Sequence, residues 1–425
     1  MTPAPLPAAA PLQPAWQSAV LPNGLRLITL ARSGTPTVAV RVYVRAGSRY
    51  DVAETAESSG LAHLTEHLLF KRTRFRRQQE LFAALERLGG TLEAGTAKEY
   101  TNFDAVTRPQ HWPMAFDVLA EVLTAPALLE EDLWAEMLVV VEEMRRAQER
   151  ESWLLDVFAQ TLWRLHPLRQ PVMGTLAGLR NIQPQALWAF YRERYVAGNM
   201  VLVVCGDIEP EAVAQLAAEK FAALPPGPAQ PPPLAHEPPL VETRTAHLRR
   251  DTLQTHLCLG VPTVGMAHAD RSALKVIELV LGMGGSARLH QRLRETEQLA
   301  YAVNTLTAPY EDAGFLAVQA ACAPENVPRV RQAILEEWDK LCQKAVDNAE
   351  LSAAQGNYLG TVARRFETNL ALAGIFGVES LLGQVESLEA AAARIEAVTA
   401  ADVLRVAQTH LTSDRHVAVM LGPKA

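Results

Sequence analysis

The chain has 425 residues, of which 49% are hydrophobic and 20% charged. This balance excludes a disordered chain, and the length predicts two or three domains of roughly 150 residues each. A formal net charge of −7 argues against nucleic acid as a partner, because phosphate binding requires a basic surface.

The first half of the chain alternates between strand and helix patterns. Apolar residues with a period of two indicate strands, and apolar residues three and four apart indicate helices. In chain order these patterns predict a strand over 37–46, a helix from about 60, a hairpin over 91–106 that turns at 98–99, helices over 113–123 and 129–150, and a strand over 200–207. Ser58 or Ser59 is the predicted N-cap of the helix that begins near Gly60.

A proline-rich stretch over 224–240 separates this half from the next. Proline cannot donate the backbone hydrogen bonds of a helix or a sheet, so the stretch predicts an extended linker. The second half repeats the order, with a strand over 252–261, a helix over 267–281, strands over 299–307 and 314–322, a helix over 327–341 and a strand over 416–423. We expect an α+β fold of two homologous α/β-sandwich domains, each a mixed sheet covered by helices, over 1–223 and 246–425 with a linker over 224–245.

One predicted helix carries the sequence His63-Leu64-Thr65-Glu66-His67. Residues four apart in a helix lie one turn apart on the same face, so His63 and His67 can hold one Zn²⁺ through imidazole nitrogens. Glu66 lies on the same side, near the position of a water on the metal. The alternative is a pair of surface or core histidines next to a solvated glutamate.

A catalytic zinc site needs a third protein ligand and an open fourth position. In the helix predicted over 129–150, Glu136 and Glu143 lie two turns apart on the apolar stripe. Buried carboxylates are costly unless they are paired or bind a metal, so Glu143 is the predicted ligand and Glu136 a supporting group. Glu142 faces another way and can pair with Arg146. The alternative is that arginines of another helix neutralise Glu136 and Glu143.

These residues resemble the inverted-motif zinc metallopeptidases, the family of pitrilysin, insulin-degrading enzyme and mitochondrial processing peptidase, in its short two-domain form. Besides the His-x-x-Glu-His motif, one glutamate follows the second histidine by 76 residues, and another precedes that glutamate by seven. Five stretches are similar to family motifs in the same order: RAGSRYD (45–51), GGTLEAGTAKEYTNF (89–103), HPLRQPVMG (166–174), YVAGNMVLVVCGD (195–207) and GGSARLHQRLRETEQLAYAV (284–303). The resemblance covers nearly the whole chain and implies a processing-peptidase-like metalloenzyme fold.

The resemblance implies a role for each group of the site. His63, His67 and Glu143 would bind one zinc ion per chain. Glu66 would take a proton from a water at the metal as general base and then pass it to the leaving amine. Glu136 would support the site from outside the ligand set.

Substrate contacts are also implied by the resemblance. Tyr301 would stabilise the oxyanion together with zinc, and Arg294 would bind a substrate carbonyl beyond the cleavage point. An edge strand would pair with extended substrate through backbone hydrogen bonds, which suits broad specificity for unfolded peptides. The residues of this strand are Glu93, Ala94, Gly95 and Thr96.

Two positions depart from the family pattern. Glu93 stands where the family usually has asparagine before Ala94, and an acid there can alter substrate preference or pH dependence. Arg72 replaces a glycine that follows Phe-Lys, which we interpret as a surface change. Neither departure removes a catalytic group.

We expect a zinc endopeptidase that cleaves unfolded peptides or small proteins inside a clamshell chamber. Four homologous domains form this chamber in the family, and the chain has two, so the resemblance implies a dimer. The chain has both the zinc motif and the Arg294–Tyr301 pair, which favours a homodimer over a heterodimer with a homologous subunit. The alternative function is a non-catalytic or weakly active subunit that assembles with a homologous partner chain.

The sequence predicts neither export nor membrane insertion. The N-terminus lacks the basic segment and the continuous apolar stretch of a signal peptide, and no apolar run is long enough to cross a bilayer. The four cysteines lie far apart, which predicts reduced side chains used as small core residues. We therefore expect a cytoplasmic protein without a membrane partner.

Overall fold

The computed structural model describes residues 15–51, 59–148, 153–233, 235–383 and 385–423. Within these ranges the strands form two mixed sheets, one in each half of the chain. The first sheet consists of β1 (Trp16–Val20), β2 (Arg26–Ala31), β3 (Val38–Val44), β4 (Thr91–Thr96), β5 (Thr101–Thr107) and β6 (Met200–Gly206). The second consists of β7 (Arg244–Arg249), β8 (Thr255–Thr263), β9 (Ala300–Pro309), β10 (Gly314–Cys322) and β11 (Val417–Gly422).

The two sheets repeat one topology. The strand orders are β1-β2-β6-β3-β5-β4 and β7-β11-β8-β10-β9. In the first sheet β2 pairs parallel with β6, in the second β7 pairs parallel with β11, and the other pairs are antiparallel. β1 is an additional strand outside this shared pattern. The predicted fold class and its duplication are thereby confirmed, while the exact domain limits stay a prediction.

Helices cover both sheets. Those of the first half are α1 (Leu61–Lys71), α2 (Gln78–Glu86), α3 (Trp112–Thr124), α4 (Glu130–Gln148), α5 (Trp153–Leu162), α6 (Leu176–Asn181), α7 (Pro184–Arg194) and α8 (Pro210–Lys220). Those of the second half are α9 (Arg271–Gly282), α10 (Val327–Gln343), α11 (Asn348–Arg365), α12 (Asn369–Leu382), α13 (Leu388–Glu396) and α14 (Ala400–His410). None of the described helices combines the length and the apolar composition that a bilayer crossing requires. The four cysteines are free thiols, as predicted.

The two halves exchange one helix each. α12 of the second half packs on the first sheet, where Phe376 lies in one buried cluster with Tyr43 of β3. α5 of the first half packs on the second sheet, where the ring of Phe158 lies 5.1 Å from that of Phe315 in β10. The remaining face of each sheet is covered by helices of its own half. Burial of apolar surface therefore joins the halves across both sheets.

The close approach of α12 to the first sheet predicts a stability effect. A Cβ atom at Gly377 would lie 2.2 Å from Cε2 of the buried Tyr43 ring, so a Gly377→Ala variant must displace the helix or the ring. We expect a loss of about 1–3 kcal/mol in the free energy of unfolding, measured by urea denaturation. Gly356→Ala in α11 is the matched control, because open space surrounds that glycine and alanine there should stabilise by about 1 kcal/mol or less. Equal stability of the two variants would contradict the tight packing.

α1 begins differently from the prediction. Its N-cap is Gly60, whose φ of 103° lies in the left-handed region, and Ser58 lies outside the described residues. The carboxylate of Asp51 accepts hydrogen bonds from the backbone N–H groups of Gly60 (2.6 Å) and Ala62 (2.8 Å). The prediction of Ser59 as the cap is wrong, because a buried aspartate from an earlier loop serves the free N–H groups at this helix end.

The tips of two hairpins meet where the halves join. Arg49 is fully buried and donates hydrogen bonds to Glu99, at the β4–β5 turn, and to both carboxylate oxygens of Asp312 (2.9 and 3.0 Å), at the β9–β10 turn. We call Arg49, Glu99 and Asp312 the Arg49 network. His166 lies against it, with Nε2 at 3.4 Å from Oδ2 of Asp312. Charged groups from both halves thus neutralise one another around the buried Arg49.

Candidate metal centre

α1 holds two histidines on the side that faces away from the core of the first half. Leu61, Leu64 and Leu68 of the same helix are at most 6% exposed and fix its apolar face. The side chains of His63 and His67 are 12% and 16% exposed, and their ring centroids lie 4.7 Å apart. The helical spacing therefore brings the two imidazoles together, as predicted from the sequence.

Glu143 of α4 reaches the two histidines from the neighbouring helix. Its Oε2 atom lies 3.4 Å from Nε2 of His67 and 3.9 Å from Nε2 of His63. One nitrogen of each histidine and one oxygen of Glu143 all lie within 4.8 Å of one another. Two imidazoles and one carboxylate form the donor set of catalytic zinc sites, in which a fourth position is left for water or substrate.

Glu136 orients one of the ligands. Its Oε2 atom lies 3.1 Å from Nδ1 of His67, and its Oε1 atom lies 2.6 Å from Nζ of Lys71. A carboxylate on one ring nitrogen directs the other nitrogen towards the metal position. The alternative of neutralisation by arginines is wrong, since Glu136 contacts a lysine and a histidine.

The exposed neighbour of the ligand also differs from the prediction. Glu142 pairs with Arg145 at 2.5 Å, rather than with Arg146. Both side chains are more than half exposed, so this pair contributes little to stability. Glu142 is thus a useful control position, close to the site in sequence but outside it in contacts.

The electrostatics of the site suit metal binding. Burial lowers the pKa of His63 to about 3, so its imidazole is neutral near pH 7. Burial also lowers the pKa of His67, but its hydrogen bond with Glu136 and the charge of Glu143 outweigh this effect and raise it. The hydrogen bond with His67 lowers the pKa of Glu136, which is therefore ionised. Because ligands bind a metal in their deprotonated forms, zinc would have to displace a proton from His67. The carboxylates that favour a positive charge on His67 would favour a cation at this position in the same way, so the residues fit a zinc ion with Glu136 as the ionised support.

Glu66 lies beside the ligands and is tied to the sheet. It is 9% exposed, and its Oε2 atom accepts a hydrogen bond of 2.6 Å from Oγ1 of Thr96 in β4. Burial raises the pKa of Glu66, and the hydrogen bond from Thr96 opposes this effect. A carboxyl group with a raised pKa in a closed site is suited to both taking up and releasing a proton.

The predicted edge strand lies at the end of the first sheet. β4 pairs with β5, and its other edge has no strand partner among the described residues. Ala94 packs on the core that contains α1, and Thr96 contacts Glu66 on that side. Glu93 is exposed and lies opposite Asp104, on the other face of the sheet. The site therefore contains the side chain of Thr96, whereas the side chain of Glu93 points away from it.

Arg294 and Tyr301 lie together in the second half. Arg294 belongs to the π-helical segment His290–Thr296, and its guanidinium carbon is 5.7 Å from the ring centroid of Tyr301, at the start of β9. Tyr301 is 73% exposed. Among the described residues, neither side chain forms a hydrogen bond or an ion pair with His63, His67 or Glu143. Their roles towards substrate remain predictions.

Two cations at the end of α1 belong to the site region and were not predicted there. Lys71 pairs with Glu136. The sequence contains a signal for this position, because Lys71 follows His67 by four residues and therefore lies on the same helix face. Arg72 is only 28% exposed and pairs with Asp132 of α4 at 3.0 Å. Arg72 is therefore partly exposed, as the interpretation of a surface change expects, and it also ties the end of α1 to the start of the helix that carries Glu143.

The position of Glu136 predicts an effect on metal affinity. A Glu136→Ala variant removes the carboxylate from Nδ1 of His67 and leaves Lys71 without its partner. We expect zinc affinity to fall by about 10–100-fold, measured by competition with a fluorescent zinc chelator. Glu142→Ala is the matched control and should bind zinc like the unmodified protein. Equal affinities of the two variants would remove Glu136 from the metal centre.

Two family models match the chain. Residues 26–176 match the model described as Insulinase (Peptidase family M16), and residues 181–358 match the model described as Peptidase M16 inactive domain. The first range contains His63, His67 and Glu143, and the second contains Arg294 and Tyr301. All candidate metal ligands therefore lie in the part that matches the insulinase model.

Several proteins are similar over most of their length. An uncharacterised zinc protease of Mycobacterium tuberculosis is 33% identical, and the alignment covers 98% of this chain and 96% of the relative. A probable mitochondrial-processing peptidase subunit beta of Arabidopsis thaliana is 26% identical over 96% of this chain and 79% of its own length. A crystal structure of a protease from Helicobacter pylori superposes with a TM-score of 0.89 at 24% identity, covering 96% of this chain and all of the other, which establishes likeness in fold.

Proposed function

Because this chain belongs to the insulinase family of zinc proteases, peptidase family M16, we propose that it is itself a zinc-dependent endopeptidase. The observation that carries the proposal is the cluster of His63, His67 and Glu143 with Glu66 beside it. A site with these ligands but without a proton-transfer group would support metal binding alone. The buried carboxylate of Glu66 supports catalysis as well.

In the proposed reaction, His63, His67 and Glu143 hold one zinc ion per chain. When bound, zinc supplies a Lewis acid that polarises the scissile carbonyl and acidifies a water. Glu66 accepts the proton of the attacking water at its carboxylate and returns it to the nitrogen of the leaving amine. Glu136 holds His67 in the orientation that keeps Nε2 directed at the site.

The open edge of β4 supports a peptide substrate in extended form. A peptide that adds as a further strand bonds through its backbone, so the sheet edge accepts many sequences. This mode requires an unfolded segment, because a folded protein has its strand edges already paired or covered. The proposed substrates are therefore unfolded peptides or small proteins, and Arg294 and Tyr301 are proposed to contact them from the second half.

We further propose that two chains assemble around the substrate. The family resemblance supports this part of the proposal, since its members enclose substrate between four homologous domains and this chain supplies two. Size-exclusion chromatography with light scattering should give the mass of two chains for the isolated protein. A monomer would remove the closed chamber from the proposal but leave the metal chemistry in place.

The test combines metal analysis with peptide cleavage. We expect purified protein to contain about one zinc per chain, to cut internally quenched peptides, and to lose this activity on treatment with a zinc chelator and regain it on addition of zinc. Mass spectrometry of the products identifies the cut bonds. Protein that holds no zinc and leaves the peptides uncut after zinc addition would instead support the non-catalytic subunit.

A further inference from the structure

Two glutamates, one in each half, are tied in the same way to an end strand of their own sheet. Glu66 of α1 accepts a hydrogen bond from the hydroxyl of Thr96 in β4. Glu278 of α9 accepts hydrogen bonds from the hydroxyl and the backbone N–H of Thr307 in β9. α1 follows β3 as α9 follows β8, and β4 and β9 hold the matching ends of the two sheets. The contact between helix and end strand is therefore duplicated with the fold.

The surroundings of the two glutamates differ. Oε1 of Glu278 lies 2.6 Å from Nζ of Lys275, one turn earlier in α9, so both of its carboxylate oxygens are engaged. Oε2 of Glu66 is held by Thr96, whereas Oε1 of Glu66 accepts no hydrogen bond from the described residues. The histidine one turn before Glu66 is the candidate ligand His63. The contact in the first half therefore leaves Oε1 of Glu66 available for proton transfer, whereas both carboxylate oxygens of Glu278 in the second half are occupied.

The direction of the hydrogen bond at Glu66 follows from its neighbours. Thr101 donates its hydroxyl proton to the backbone carbonyl of Ala46 at 2.7 Å, so its oxygen can act only as an acceptor towards Thr96. Oγ1 of Thr96 lies 3.3 Å from Oγ1 of Thr101 but 2.6 Å from Oε2 of Glu66. Of these two possible acceptors Oε2 of Glu66 is the nearer, so the single hydroxyl proton of Thr96 points to Glu66. A hydroxyl group can donate one hydrogen bond, and in this arrangement Thr96 and Thr101 each donate theirs.

We propose that Thr96 is a positioning residue for Glu66, holding Oε2 so that Oε1 is the oxygen that moves the proton. This inference rests on the proposed function. Thr96 is also the last residue of β4, whose open edge is the proposed pairing site for substrate. One residue therefore sets the position of the base relative to the backbone that the substrate pairs with. A misplaced base costs rate even when substrate still binds.

The test compares substitutions at the two duplicated threonines. Thr96→Val keeps the shape of the side chain and removes the hydroxyl, and we expect kcat to fall by about 10–100-fold with KM changed by less than about twofold. Thr96→Ser restores the hydroxyl and should retain kcat within about threefold of the unmodified protein. Thr307→Val is the matched control in the second half and should leave kcat and KM unchanged. All variants should hold the same amount of zinc.

Each outcome decides between the two proposals. Equal kcat values for Thr96→Val and Thr307→Val, or a kcat of Thr96→Ser as low as that of Thr96→Val, would overturn the role of Thr96 while cleavage by the unmodified protein stands. An unmodified protein that holds zinc and cuts no peptide would overturn the proposed function and this inference with it. If valine at position 96 prevents folding, Thr96→Ala replaces it in the comparison with serine.

Discussion

A Glu66→Gln variant should lose peptide cleavage by about 10²–10⁴-fold while it keeps its zinc. The amide has nearly the size of the carboxylate, and its oxygen can still accept the hydrogen bond that Thr96 donates. It cannot take up a proton near pH 7, so the attacking water loses its base. Glu66 is not among the candidate ligands, which is why the metal content should not change.

The measurement is kcat/KM on a quenched peptide, with zinc determined by mass spectrometry on the same sample. Glu142→Gln is the matched control, because among the described residues this exposed glutamate forms an ion pair with Arg145 alone. Cleavage near that of the control would exclude Glu66 from the mechanism. Loss of zinc together with activity would instead assign Glu66 a role in holding the metal centre together.

The second large effect concerns stability. An Arg49→Met variant should lose about 3–5 kcal/mol in the free energy of unfolding, because it leaves a buried carboxylate without its countercharge. Glu99 is 3% exposed, and burial raises its pKa while Arg49 opposes this effect. Asp312 loses a partner too, although it is 29% exposed and keeps His166 beside it. The loss should appear in urea denaturation at pH 8.

The pH dependence of the Arg49→Met variant distinguishes the loss of the countercharge of Glu99 from a loss of side-chain packing. Without Arg49, the pKa of Glu99 in the folded chain rises further above its unfolded value. A carboxyl group whose pKa is higher in the folded chain than in the unfolded chain destabilises the folded chain at pH values above its folded-state pKa. This destabilisation disappears as the pH falls towards the pKa of the group in the unfolded chain. The difference from the unmodified protein should therefore shrink between pH 8 and pH 5. Arg145→Met, which removes an exposed pair, should change stability by less than about 1 kcal/mol at either pH. A loss that does not vary with pH would contradict the role of Glu99.

Local patterns predict the shared strand pattern of the two halves and the helices that begin near residues 60, 113, 129, 267 and 327, but not the remaining helices among the described residues. Periodicity predicts eight of the eleven strands among the described residues and their duplication, because strand and helix periods depend on neighbouring residues. It does not predict β1, β2 and β7. The histidine pair follows from helical spacing for the same reason. Glu143, in contrast, lies 76 residues from His67, and its assignment needed both a carboxylate on an apolar stripe and the family resemblance.

Long-range contacts account for what the sequence could not predict. The exchange of α5 and α12 is absent from the local pattern, because an apolar helix face does not reveal which sheet covers it. The Arg49 network joins residues 263 positions apart. Asp51 replaces the predicted serine cap through a contact that only the folded loop creates. Thr96 is an intermediate case, since strand alternation places it on the side of Ala94 but does not identify Glu66 as its partner.

Because of the helix exchange, the linker is not needed to hold the two halves together. Because each sheet is completed by a helix from the other half, a chain cut between residues 235 and 243 should remain one particle, held by the same buried contacts and the Arg49 network. Either half produced separately would leave a sheet face bare where α5 or α12 belongs and would be prone to aggregate. We therefore expect the duplicated halves to unfold as a single cooperative unit.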